Sequence, residues 1–304
     1  MSTVKRDPVP YFRLLSAQLA VGAAAIFARF ALTGAGPLAV SAWRLVLAAV
    51  PLGVLAVLTR GGQARPGARR EAALALAGLA LAAHFAGWIT SLLYAPVAIS
   101  TLLVCTSPLW TGAFEAVRSR KAPPAAYLLG LALAAGGVAA IAGGREAAAP
   151  EPGHALLGAL LALAGGLALA VYFLLVRTFG NAPVAAPALS TRAVVARTYA
   201  WAALALLAAS AFAHQAPPAV GDWRAWAGIL AMALISQGLG HTGMNAALRD
   251  FSPNVVALTT LLEPPIAALL AVWVFHETLG GLALAGAVAV LAGVGLALAG
   301  DARQ

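Results

Sequence analysis

The sequence predicts an all-α polytopic membrane protein, with ten transmembrane helices arranged as two inverted five-helix repeats. Three observations predict it. The first is composition. Hydrophobic residues make up 62% of the 304 and charged residues 10%, whereas a soluble domain is roughly half apolar and about a quarter charged. The excess is spread over the whole length, so a soluble domain with one anchor is excluded. The second is an asymmetric distribution of basic residues between alternate loops. The third is an internal repeat.

A membrane helix needs about 20 mostly apolar residues. Ten segments qualify: 14–33, 38–58, 72–93, 96–117, 125–143, 155–176, 193–213, 224–248, 253–275 and 280–299. Gly, Pro or charge punctuates the chain between them, as in Gly34-Ala-Gly-Pro37, Lys121-Ala-Pro-Pro124 and Pro150-Glu-Pro-Gly153. The basic start followed by apolar 14–33 resembles a signal peptide. That run is too long for a typical signal core and contains Arg29, so it reads as a retained first helix.

With the N-terminus placed in the cytoplasm, the inner segments hold fourteen basic residues, including Arg69, Arg70, Arg118, Arg177 and Arg249. The outer segments hold only Arg145 and Arg224. That is a positive-inside bias. It places both termini in the cytoplasm and the chain in the cell inner membrane, and it explains the net charge of +9 without nucleic acid. No basic face with interleaved aromatics is available to water.

Shifting the first half by 156 positions lays Pro108 on Pro264, and Gly130, Gly137 and Gly144 on Gly286, Gly293 and Gly300. Each glycine triplet recurs every seven residues, two helical turns, and forms a smooth stripe along which membrane helices can approach closely. Five spans per copy is an odd number, so the copies must lie in opposite orientations, as in many secondary transporters. The resulting organisation is a tail (1–13), a first repeat (14–144), a linker (145–154), a second repeat (155–300) and a short tail (301–304).

Polar side chains within spans are costly in lipid and usually face a bundle interior or a wet cavity. Gln237, His241 and Asn245, spaced by four, stack on one face of the eighth span. They read either as a substrate-binding stripe or as an interhelical seam. His84 and Trp88, also four apart, combine a titratable donor–acceptor with a flat apolar wall. Thr106 and Trp110 on the fourth span and Tyr172 on the sixth are further candidates for the lining. Glu263 is an isolated acid beside Pro264-Pro265. It is a candidate for proton coupling or amine binding, or a structural acid where the prolines interrupt the helix ladder. No metal site is expected, because neither His84 nor His241 has a carboxylate or thiol at ligand spacing. The lone Cys105 reads as a small core residue.

Leu261-Leu262-Glu263-Pro264-Pro265-Ile266, Phe275-His276-Glu277 and the glycine-striped last helix resemble the second repeat of the EamA group of the drug/metabolite transporter superfamily. Ile26-Phe27-Ala28-Arg29, Ala42-Trp43-Arg44-Leu45 and Ser107-Pro108-Leu109 fit the first repeat more loosely. One departure is that Arg120-Lys121 stands where the second repeat has His276-Glu277. The resemblance implies a path lined by spans one, three, four, six, eight and nine, with the others bracing it. On that basis Arg29, in a path helix, is a candidate to bind a substrate carboxylate. Arg44 and Arg197, in bracing helices, read first as snorkelling or capping groups, with binding of a substrate carboxylate through the guanidinium fork as the alternative.

The resemblance also implies a secondary transporter of small organic metabolites, foremost an amino-acid exporter, with a proton-coupled multidrug exporter as the alternative. No Walker-type loop is present, so a solute gradient or a coupled ion such as a proton must supply the energy. No HExxH, GxSxG or paired aspartate argues for an intramembrane enzyme, and no cofactor is expected. The expected partners are a small-molecule substrate and the lipid bilayer, with the protein working as a monomer or homodimer.

Overall fold

The computed structural model describes residues 8–58, 66–95, 97–143, 154–180, 189–276, 278 and 280–301. Lys5, Arg6, Arg60, Arg65, Gly144, Arg145, Glu277 and Arg303 lie outside them, as does the linker but for its last residue. Every regular element among the described residues is helical.

In the first half α1 runs over Val9–Ala31, interrupted at Ala23. Next come α2 (Pro37–Leu58), α3 (Ala68–Ser91), α4 in two pieces (Val97–Val104 and Ser107–Ser119) and α5 (Ala125–Gly143). In the second half α6 (Ala155–Leu175) ends in a π turn (Val176–Gly180), and α7 spans Thr191–Phe212. The helix α8 is made of Trp223–Ala231, a π stretch (Met232–His241) and Thr242–Ala247. The helix α9 is made of Pro253–Thr259, a 3₁₀ turn (Thr260–Leu262) and Glu263–Phe275, and α10 is Gly281–Asp301. Eight of these helices are long and apolar enough as continuous runs to cross a membrane.

Local sequence explains the starts and the breaks. Ser190, Asp222 and Ser252 cap α7, α8 and α9, their side chains accepting from Ala193, Ala225 and Val255 N–H. Pro108 and Pro264 each lack an N–H and displace the carbonyl four residues back, so α4 and α9 break at matching places. The Thr260 carbonyl loosened by Pro264 accepts from the Cys105 thiol, and the Ser107 and Thr260 hydroxyls lie 3.4 Å apart. The two breaks therefore touch across the repeat boundary.

The repeat is closest in its last two spans. Ser107–Ser119 and Glu263–Phe275 are both 13 residues long. Each ends in a left-handed residue, Arg120 and His276, both at φ 55°. Such a conformation costs a non-glycine residue about 1–2 kcal/mol. The turn geometry is thus duplicated although its residues are not.

The glycine stripes face each other. A Cβ on Gly130 would lie 2.5 Å from the Gly293 carbonyl oxygen, and one on Gly137 would lie 2.5 Å from that of Gly286. Ascending α5 therefore means descending α10. Corresponding helices of the two copies run antiparallel, so the copies are inverted.

Candidate functional site

Close backbone approaches bring the polar residues together. Gly87 packs on the Leu161 carbonyl and Gly165. At this α3–α6 contact His84 Nδ1 lies 3.0 Å from the Gly165 carbonyl oxygen. A carbonyl can only accept, so Nδ1 carries the proton of this bond. Gly240 of α8 packs on Val21 and Ala17 of α1, which holds the π stretch against the first half.

Around that stretch lies the centre of the site. His84 stacks at 6.4 Å from Trp88, the two ring planes 13° apart, and the His241 ring is 6.1 Å from His84 and 5.1 Å from Phe85. The guanidinium of Arg44 sits 4.0 Å over the Phe85 ring, and its Nη2 donates to Gln237 Oε1 at 2.9 Å. Arg44 is fully buried, at 0% exposure. The expectation that it snorkels or caps is corrected here: α2 packs against α7 and the π stretch of α8, which turns the head inward. Tyr199 of α7 donates to the Gln237 carbonyl at 3.4 Å, and Thr242 Oγ1 donates to the same oxygen at 3.1 Å. Irregular turns of this kind concentrate at functional sites because they release backbone groups.

The other candidates fall in three places. Asn245 donates to the His241 carbonyl and accepts from the Tyr172 hydroxyl at 2.8 Å, so this pair ties α6 to α8 with its main polar groups engaged. Trp110 Nε1 donates to Thr106 Oγ1 at 3.2 Å, which donates onward to the Leu103 carbonyl. Both residues are half-buried, and Thr106 faces Gly166 of α6. Arg29 stands apart. It is exposed, its guanidinium 3.9 Å from the centroid of the Phe275 ring. Glu263 is half-buried at the first turn after the 3₁₀ break. Arg197 pairs with Glu71 at 3.0 Å.

Several atoms of the centre are buried without a hydrogen-bond partner among the described residues. They are Arg44 Nε and Nη1, Gln237 Nε2, Trp88 Nε1, His241 Nδ1 and the Ser236 hydroxyl. A buried polar group left unpaired costs ~1–3 kcal/mol, and native structures keep few of them. Sequence reasoning set Arg44 behind Arg29, and it missed Tyr199 and Gln18, whose Nε2 donates to Thr259 Oγ1 at 2.8 Å and joins α1 to α9. The signal for the last was a single amide in an apolar first span. No group of three or more His, Cys, Asp or Glu clusters among the described residues.

One end of the bundle is tied by arginines. Arg70 donates to the Phe179 and Gly180 carbonyls at 2.7 and 2.9 Å, joining α3 to α6. Arg177 donates to the Leu248 and Arg249 carbonyls, joining α6 to α8. Arg249 donates to the Leu189 carbonyl, and Arg197–Glu71 returns from α7 to α3.

The sequence matches the EamA-like transporter family over residues 10–143 and 156–299, one match for each half of the bundle. The chain belongs to the EamA-like transporter family. It is accordingly a multi-pass membrane transporter of small molecules. A solved structure described only as "Crystal structure of protein" shares the fold, with a TM-score of 0.74 and 21% identity over 97% of this chain and 99% of that one. No curated protein matches the sequence.

Proposed function

We propose that this EamA-family chain exports amino acids or closely related metabolites across the cytoplasmic membrane by alternating access, with both termini in the cytoplasm. The observation that carries the reading is the buried centre on α2, α3 and α8. It combines unsatisfied hydrogen-bond donors, aromatic walls and the buried cation of Arg44. A dipolar solute with a small side chain complements such a centre. The arginine ties at the end of α3, α6, α7 and α8 support alternating access, since a path at that end opens only when they part. Each is worth about 1 kcal/mol, which is weak enough to be reversible.

The test is a panel of radiolabelled amino acids and metabolites in proteoliposomes, with and without a pH gradient. Counterflow of at least one amino acid is expected. Failure of every amino acid, together with proton-driven efflux of lipophilic cations that Glu263→Gln abolishes, would establish the multidrug alternative.

A further inference from the structure

The partners of Arg44 do not match its charge. A fully buried guanidinium normally has a carboxylate beside it, because an uncompensated charge in a low-dielectric interior costs several kcal/mol. Arg44 has a neutral amide oxygen, Gln237 Oε1, at 2.9 Å and the face of Phe85 at 4.0 Å. No ion pair joins it to Glu263 among the described residues.

Most of what remains unsatisfied in the centre that holds Arg44 can only donate. Arg44 Nε and Nη1, Gln237 Nε2 and Trp88 Nε1 are buried and without partners among the described residues. All four atoms can only donate, while the His241 Nδ1 and Ser236 hydroxyl of the same centre, also without partners among the described residues, can donate or accept. Gln237 explains its own share: its oxygen is committed to Arg44, so its amide hydrogens are directed elsewhere. A set in which donors outnumber possible acceptors, around a fixed positive charge, calls for an acceptor that is itself negative. The planar guanidinium favours a planar two-oxygen anion, and the Phe85 and Trp88 rings favour one attached to an organic body. A cationic solute would meet like charge here.

We propose that Arg44, with Gln237 and Trp88, forms the subsite that holds the carboxylate of the transported solute. This inference rests on the transport reading above and adds to it the chemical group recognised and the residue that recognises it.

The test uses the purified full chain and reads ligand-induced thermal stabilisation alongside uptake into proteoliposomes. The probes are matched sets: phenylalanine, phenylpyruvate and phenethylamine; leucine, 4-methyl-2-oxopentanoate and isoamylamine; and inorganic phosphate alone. The carboxylates should stabilise the protein and the amines should not. Arg44→Gln and Arg44→Lys should each weaken carboxylate binding by about tenfold or more, the lysine variant because it keeps charge but loses the planar fork. Gln237→Glu supplies a carboxylate internally. It should raise the melting temperature of the free protein and abolish stabilisation by added carboxylates, which a misfolded variant would not do.

Equal stabilisation by the amines, stabilisation by phosphate alone, or no stabilisation by any carboxylate overturns the subsite. So does unchanged carboxylate affinity in both Arg44 variants. Transport of a solute without a carboxylate that survives Arg44→Gln overturns the subsite and leaves the transporter reading standing. Arg44-dependent carboxylate binding with no transport of any probe does the reverse.

Discussion

Two contacts between the halves of this protein are built on opposite chemistry. The α5–α10 seam is made of glycines whose absent side chains let backbones meet. The α2–α3–α8 centre is made of some of the largest polar side chains in the molecule. In the seam, among the described residues, no side-chain nitrogen or oxygen of α5 or α10 is buried without a partner, and the stripe contributes close backbone approach. In the centre Arg44, Gln237, Trp88 and His241 carry buried atoms without partners. Free energy is gained at the seam and forgone at the centre. That difference separates a scaffold from a site, because only unsatisfied groups have something to gain from a ligand.

The largest expected effect tests the seam. Gly137→Leu would put a Cβ 2.5 Å from the Gly286 carbonyl oxygen, whereas the neighbouring Gly136 has nothing within 4 Å. Overpacking of a tight contact costs ~1–3 kcal/mol or more. Gly137→Leu should therefore sharply reduce the yield of monodisperse protein in detergent, and Gly136→Leu should not. Equal yields would mean that the helices do not meet along this stripe.

A smaller effect of opposite sign tests the centre. The Ser236 hydroxyl is buried without a partner among the described residues. Ser236→Ala should raise stability by about 1 kcal/mol, read as a higher melting temperature of the purified protein. A lower melting temperature would show that the hydroxyl is bonded and that the centre has less to gain from a ligand.

The arginine ties should give the most modest change. Arg70→Ala and Arg177→Ala each remove bonds worth about 1 kcal/mol, so the population open at that end should grow about fivefold. Cys105 is buried at the α4 break, at 3% exposure, and it reports on this opening. Its rate of labelling by a membrane-permeant maleimide should rise by a similar factor. An unchanged rate would assign the ties to the scaffold side of the comparison.

Much of the seam was readable along the chain. The 156-residue offset, the proline pair and the seven-residue glycine spacing are one-dimensional regularities, and the structure converts them directly into matching breaks and facing stripes. The centre was readable only in part. His84 with Trp88, and Gln237 with His241, share a helical face at a spacing of four, and the structure brings both pairs into one cluster. Asn245 lies on the same stripe as Gln237, yet Tyr172, from a helix far away in sequence, takes up its oxygen.

The two arginines of the first two spans mark the division most sharply. Composition, basic-residue asymmetry and internal symmetry determined that this chain crosses a bilayer as two opposed five-helix copies. Those properties follow from lipid solvation and chain duplication, which act on segments. Arg29 and Arg44 are alike at that level, each a lone guanidinium in an apolar run. Only the packing of α2 against α7 and α8 turned Arg44 inward over Phe85, while Arg29 came to rest at the surface over Phe275. Which face of a helix is buried depends on its neighbours, and the neighbours of a membrane helix are chosen by tertiary contacts that a uniformly apolar sequence does not record.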